Sequence, residues 1–87
     1  MMVETETLLS PNRLRWACRR GLLELDIIFG CFLDTAYEKL SMDEKVIFQN
    51  LLLEADQTLL GYFMGQENPE DPEIIRVIEK VRLAASA

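Results

Sequence analysis

Residues 13–26 read Arg13-Leu14-Arg15-Trp16-Ala17-Cys18-Arg19-Arg20-Gly21-Leu22-Leu23-Glu24-Leu25-Asp26, and they place four of the nine basic residues within eight positions of a chain whose formal net charge is -6. A local reversal of sign in an acidic protein needs a reason. The stretch also predicts a junction between two helices. Ser10-Pro11 ahead of it is a start signal: the hydroxyl can accept from the unpaired amides of a first turn, and the proline stands where a missing N–H costs nothing. Leu14, Ala17 and Cys18 repeat at i, i+3 and i+4 as a narrow apolar face, with Arg15 and Arg19 off it. Gly21 follows, placed to take the left-handed conformation that ends a helix after cationic side chains have compensated its C-terminal dipole. Beyond it, Glu24 and Asp26 lie in the first turns of a longer helix, where negative charge is favoured. The reading is a first helix over about 11–20, a corner at Arg20-Gly21-x-x-Glu24, and a second helix from about Leu22.

Outward from the corner the chain continues as helices. The second carries the strongest periodicity, with Leu25, Ile28, Phe29, Phe32, Ala36, Tyr37 and Leu40 recurring at three- and four-residue steps, which makes it the central helix. Ser41-Met42-Asp43-Glu44 matches a capping box and starts a third helix with an apolar face of Ile47, Phe48, Leu51 and Leu52, ending near Leu53 or Glu54. Asp56 is a plausible N-cap for a short fourth helix bearing Leu59, Leu60 and Phe63, closed by Gly65. Asp71-Pro72-Glu73 repeats the cap, proline, acid signature and opens a fifth, with Ile74, Ile75, Ile78 and Val81 inward and Arg76, Lys80 and Arg82 outward. No alternating stretch predicts a strand. The expectation is an all-α single small domain, a compact bundle of about five short helices over residues 10–84, with an acidic flexible leader at 1–9 and a frayed end at 85–87.

Composition excludes much chemistry. The chain has no histidine, which removes Ser/His/Asp and Cys/His nucleophilic sites, histidine metal sites and the commonest general base. Cys18 and Cys31 alone cannot complete a structural zinc site, and both read as reduced core thiols of a reducing compartment. The four glycines form neither a dinucleotide fingerprint nor a phosphate loop. A pI of about 4.5 argues against nucleic acid. Residues 1–9 lack the features of a signal or transit peptide, and no apolar run approaches the ~20 residues that span a bilayer. These observations point to a cytoplasmic binding module, monomeric when free and not an enzyme.

The corner itself admits two readings. In one, Gly21 is a C-cap, Glu24 a dipole partner and the arginines a solvated face. In the other it is a recognition surface, where glycine permits close approach, Arg20 and Glu24 offer opposite charges, and Trp16, four residues before Arg20, lies beside it on the helix. Trp16 is either core or interface.

The sequence resembles the SdhE/YgfY-type succinate dehydrogenase assembly factors. Arg15-Trp16 with Arg19-Arg20-Gly21-x-x-Glu24-Leu25-Asp26 looks like the signature segment of that family, and Glu44, Phe48, Leu51-Leu52 and Asp56-x-x-Leu59-x-x-Tyr62-Phe63-x-Gly65 look like its later blocks. The match covers roughly residues 13 to 82 in order and departs at Tyr62, where the family usually has tryptophan. The resemblance implies a five-helix protein that binds the flavoprotein subunit of succinate dehydrogenase, and often of fumarate reductase, and promotes covalent attachment of FAD to a histidine of that subunit. It places Arg20, Gly21 and Glu24 at the contact, with Arg19, Trp16 and Asp26 adjacent, and implies no tightly bound cofactor in this chain. The alternative is an acidic antidote to a toxin, or a regulator of another protein.

Overall fold

The computed structural model describes residues 8–86. Among them are five α-helices and one 3-10 turn: α1 Pro11–Ala17, α2 Leu23–Thr35, the 3-10 turn Tyr37–Lys39, α3 Met42–Leu51, α4 Asp56–Phe63 and α5 Pro72–Ser86. No strand occurs among the described residues, and no described helix is long and apolar enough to cross a membrane.

The apolar stripe of α2 decides the packing. Leu25, Phe29 and Phe32 are fully buried against α5, which answers with Val77, Ile78 and Val81. Phe48 of α3 and Phe63 of α4 close the same core, and the rings meet edge to face or tilted: Phe29–Phe48 at 5.8 Å, Phe29–Phe63 at 5.4 Å and Phe32–Phe48 at 4.9 Å between centroids. Each such pair contributes about 0.5–1.5 kcal/mol beyond its buried area. The core is therefore an aromatic cluster around which four helices are arranged.

Local signals explain most of the boundaries. The Ser10 side chain accepts from the Arg13 amide ahead of Pro11, as the start signal required. The capping box is complete: Ser41 Oγ accepts from the Glu44 amide at 3.1 Å, and Glu44 Oε1 accepts from the Ser41 amide at 3.0 Å. Glu44 Oε2 also accepts from Lys80 Nζ at 2.6 Å, which ties the start of α3 to α5. Asp71 Oδ1 accepts from the Glu73 amide at 2.9 Å. Gly65 takes a φ of 77°, while Gly61 O accepts from the amides of Gln66 and Glu67.

Several sequence expectations are corrected. The central helix does not run to Leu40. The Thr35 hydroxyl donates back to Cys31 O at 2.7 Å, Ala36 leaves helical geometry at φ -128°, and the 3-10 turn then returns Tyr37 and Leu40 to the core. The third helix ends at Leu51, short of the Leu53–Glu54 expectation. Asp56 does not cap α4; Ala55 holds the N-cap position, and Asp56 is the first helical residue because its carboxylate is engaged elsewhere. Val77, absent from the expected face of α5, is completely buried, whereas Ile74 and Ile75 are half-buried. Only Cys18 is a core thiol; Cys31 is half-buried. The last helix, α5, is assigned as far as Ser86. Residues 1–7 of the expected leader lie outside the described residues, but Leu8 and Leu9 are half-buried, and the Leu9 amide donates to Gln49 Oε1 at 2.7 Å.

Candidate functional site at the first helix corner

The first helix ends three residues before the sequence suggests, and Arg20 is the reason. Cys18 is the C-cap of α1, the Arg19 amide donates to Trp16 O, and the chain then turns so that Arg20 points into the fold. Its side chain is only 17% exposed. Arg20 Nη1 donates to Ala17 O at 3.0 Å and to Leu52 O at 3.0 Å, Nη2 to Glu54 O at 3.1 Å, and Nε to Asp56 Oδ1 at 2.8 Å. One guanidinium thus satisfies carbonyls at the end of α1 and just after α3, and neutralises a carboxylate in the first turn of α4. Helix ends leave such carbonyls unpaired, and the fork of arginine can serve several at once.

Asp26 completes the arrangement from the other side. Its Oδ1 accepts from the Arg20 amide at 2.8 Å, so the backbone of the corner is fixed to the first turns of α2. Between them Gly21 adopts φ 85°, a region that L side chains avoid, and a Cβ placed there would meet no atom within 4 Å. The requirement for glycine is therefore conformational, and the space above it is open. The expected C-cap role is corrected accordingly: Gly21 lies in the link between helices, four residues past the end of α1.

The outward surface comprises Arg19 and Glu24, both exposed, with three large apolar side chains: Trp16 at 75% exposure, Leu23 at 72% and Ile27 at 55%. Trp16 therefore belongs to the surface and not to the core. It does not lie one helical turn from Arg20, because α1 has ended at Ala17. Leu23 and Ile27, one turn apart on α2, were not singled out from the sequence. Their signal was available as apolar residues off the Leu25-Phe29-Phe32 stripe, but it merged into a broad apolar band.

Beside this surface runs a groove between α1 and α2, lined by Trp16, Cys18, Leu33 and Gly30 with Arg15, Arg19 and Asp26 on its rim, and with a volume of about 300 Å³. Arg15 Nη2 and Asp34 Oδ1, 2.6 Å apart, bridge the two helices at one end. At the other end the Arg20 amide of the link donates to Asp26 of α2. Burial pushes the Cys18 thiol up to about 12, against the opposing pull of Arg20 and Arg15. A thiol so suppressed has almost no thiolate at neutral pH and is a packing group, not a nucleophile.

The arrangement is suited to binding. Among the described residues no group of three or more His, Cys, Asp or Glu is placed to hold a metal, and no buried side-chain polar atom is without a hydrogen bond. Of the four clustered arginines, Arg20 is committed internally and Arg15 is paired, whereas Arg13 and Arg19 are exposed and form no ion pair with any described residue.

Comparison with known proteins shows which family the chain resembles. The chain is 48% identical over 75 residues to the FAD assembly factor SdhE of Shewanella oneidensis, covering 86% of this chain and 92% of that protein. It is 47% identical over 73 residues to the SdhE of Idiomarina loihiensis, covering 84% and 81% respectively. It is 37% identical over 78 residues to the SdhE of Coxiella burnetii, covering 90% and 95%. Residues 12–85 match the family Sdh5, described as flavinator of succinate dehydrogenase, and the chain belongs to that family of assembly factors.

Proposed function

We propose that this protein docks on the flavoprotein subunit of succinate dehydrogenase, and of fumarate reductase where one is present, and promotes covalent attachment of FAD to it. The reading assigns contact to Gly21, Glu24, Arg19 and Trp16, with Leu23 and Ile27 added from the structure. Arg20 and Asp26 hold the corner from within. The observation that carries it is the exposed apolar set Trp16, Leu23 and Ile27 around Glu24 and an unobstructed Gly21, on a backbone fixed by five Arg20 hydrogen bonds. A rigid surface loses little conformational entropy on association, so its contacts convert efficiently into affinity.

The chemistry of attachment stays with the flavoprotein. This chain contributes position: bound at the flavin site, it favours the closed arrangement of its partner in which flavin and acceptor side chain meet. It acts in the cytoplasm and is monomeric when free. Its residual cationic face, reduced to Arg13 and Arg19, is too small for the salt-dependent phosphate binding that nucleic acid would require.

The test is covalent flavin, read as fluorescence of the denatured flavoprotein subunit after expression with the protein, without it, and with Glu24→Ala, Trp16→Ala or Gly21→Asn. Fluorescence should depend on the protein, fall with Glu24→Ala and Trp16→Ala while both variants stay folded, and fall with Gly21→Asn, because asparagine tolerates the backbone but fills the approach. Equal fluorescence in all lanes would overturn the reading.

A further inference from the structure

Among the large apolar side chains of the described residues, Leu53 is the most exposed, at 85%. It lies in the link between α3 and α4, and that link is not slack. The Leu53 amide donates to Asn50 O at 3.0 Å and the Glu54 amide to Leu51 O at 3.0 Å. The carbonyls on either side, Leu52 O and Glu54 O, accept from Arg20 Nη1 at 3.0 Å and Nη2 at 3.1 Å. An exposed leucine needs no explanation by itself. This one is held by the same guanidinium that shapes the corner, so the corner and the link lie one arginine side chain apart.

Next to Leu53 the surface continues as a hollow of about 250 Å³, in which Leu51, Ile47, Tyr62 and Ile74 supply apolar surface and Glu54 and Asp71 the charge. That charge has one sign. No cation lines the hollow, and neither carboxylate forms an ion pair with a described residue. Asp71 Oδ1 accepts from the Glu73 amide, a contact that supplies no opposing charge. The nearest cations are committed or outnumbered: Arg20 is bound to Asp56 and three carbonyls, and Arg76 lines an adjoining hollow with Asp43, Glu44 and Glu73.

We infer that the docking surface extends from the corner across the α3–α4 link, where a second segment of the flavoprotein, apolar and basic, lays an apolar side chain on Leu53 and directs a lysine or arginine to Glu54 and Asp71. Continuity through Arg20 selects the partner. The sign of the hollow selects the chemistry, since a carboxylate brought there would meet only like charge. The inference rests on the proposed flavoprotein docking and deepens it.

The test is affinity for the purified flavoprotein subunit, measured by titration calorimetry at low and high salt on the unaltered protein and on Leu53→Ser, Glu54→Lys, Leu83→Ser, Glu79→Lys and Glu24→Ala, with a thermal melt and sedimentation of each. Leu53→Ser should weaken binding by about tenfold and leave Tm within about 3 °C, because the side chain is exposed. Glu54→Lys should weaken it by at least about tenfold at low salt and by less at high salt. Leu83→Ser and Glu79→Lys, the same changes at exposed positions of α5, should bind as the unaltered protein does. Full affinity of Leu53→Ser and Glu54→Lys beside a weakened Glu24→Ala would overturn the extension and leave the corner standing. Self-association that Leu53→Ser abolishes, with flavoprotein affinity unchanged, would assign Leu53 to a second copy of the chain and also overturn it. An unaltered protein that fails to bind the flavoprotein would overturn extension and corner together.

Discussion

Replacing Arg20 with alanine removes four side-chain hydrogen bonds at once, to Ala17 O, Leu52 O, Glu54 O and Asp56 Oδ1. At about 1 kcal/mol net for each the loss would be about 4 kcal/mol. That sum is an upper value, because the Asp56 side chain is 34% exposed and water can replace part of what the guanidinium supplied. The expected destabilisation is about 2–3 kcal/mol, or roughly 10–20 °C in Tm, from a domain whose total stability is on the order of 5–10 kcal/mol. Arg20→Lys should recover the Asp56 contact but not the three carbonyls, and so lose about half as much. The assay is urea denaturation followed by circular dichroism, with Asp56→Asn and the double variant completing a cycle whose coupling should exceed about 1 kcal/mol. Flavinylation should fall in step with stability in this series, whereas Glu24→Ala should lose flavinylation alone. If Arg20→Ala cost less than about 0.5 kcal/mol and still abolished flavinylation, the guanidinium would be a partner contact and the internal role assigned to it would be wrong.

Three further outcomes follow from other parts of the fold. The Glu44 carboxyl is held below its ordinary value of 4.5, first by the hydrogen bond from Lys80 and then by the Ser41 amide; its stabilisation is present above that value and lost as pH falls through the lower folded one, so the difference between the unaltered protein and Lys80→Ala, about 0.5–1 kcal/mol at pH 7, should shrink and vanish as the solution is acidified through that range. The Cys18 thiol, raised from 9.0 to about 12, contributes stability that is fully present below pH 9 and declines as pH rises toward 12; urea midpoints should show this alkaline loss, absent in Cys18→Ala, and iodoacetamide at pH 8 should alkylate Cys31 well before Cys18. Phe48→Ala removes a fully buried ring in contact with Phe29, Phe32 and Tyr37 and should cost about 3–5 kcal/mol by chemical denaturation, a cost below about 2 kcal/mol indicating that α3 repacks.

What could be read from the sequence was what depends on neighbours along the chain. The Ser41/Glu44 box, the Ser10-Pro11 and Asp71-Pro72 starts and the Leu25-Phe29-Phe32 stripe are all set within one or two turns of helix, and the structure shows each of them. The misplacements share a different cause. The ends of α1 and α3, and the role of Asp56, are decided by the Arg20 guanidinium, whose partners lie up to 36 residues away. A local rule assigned Arg20 to the C-terminal dipole and Asp56 to a cap, when the two residues were each other's partner. The candidate site was read as a charged, glycine-containing corner, and the family resemblance supplied the residues around it. That Arg20 is enclosed while Trp16 is exposed depends on where α1 stops, which no periodicity in seven helical residues could determine.

The Arg20 fork gives the corner a dependence on the completeness of folding. The segment proposed to meet the partner comes early in the chain, but the carbonyls and carboxylate that set its shape, at Leu52, Glu54 and Asp56, come 32–36 residues later. Contacts of that separation form only once the intervening chain has closed on itself, so the two early helices cannot present the docking surface by themselves. On the proposed docking, a nascent, truncated or partly unfolded copy would lack the surface that meets the flavoprotein. Recognition through this corner would then be reserved for molecules in which the junction of α3 and α4 is already in place.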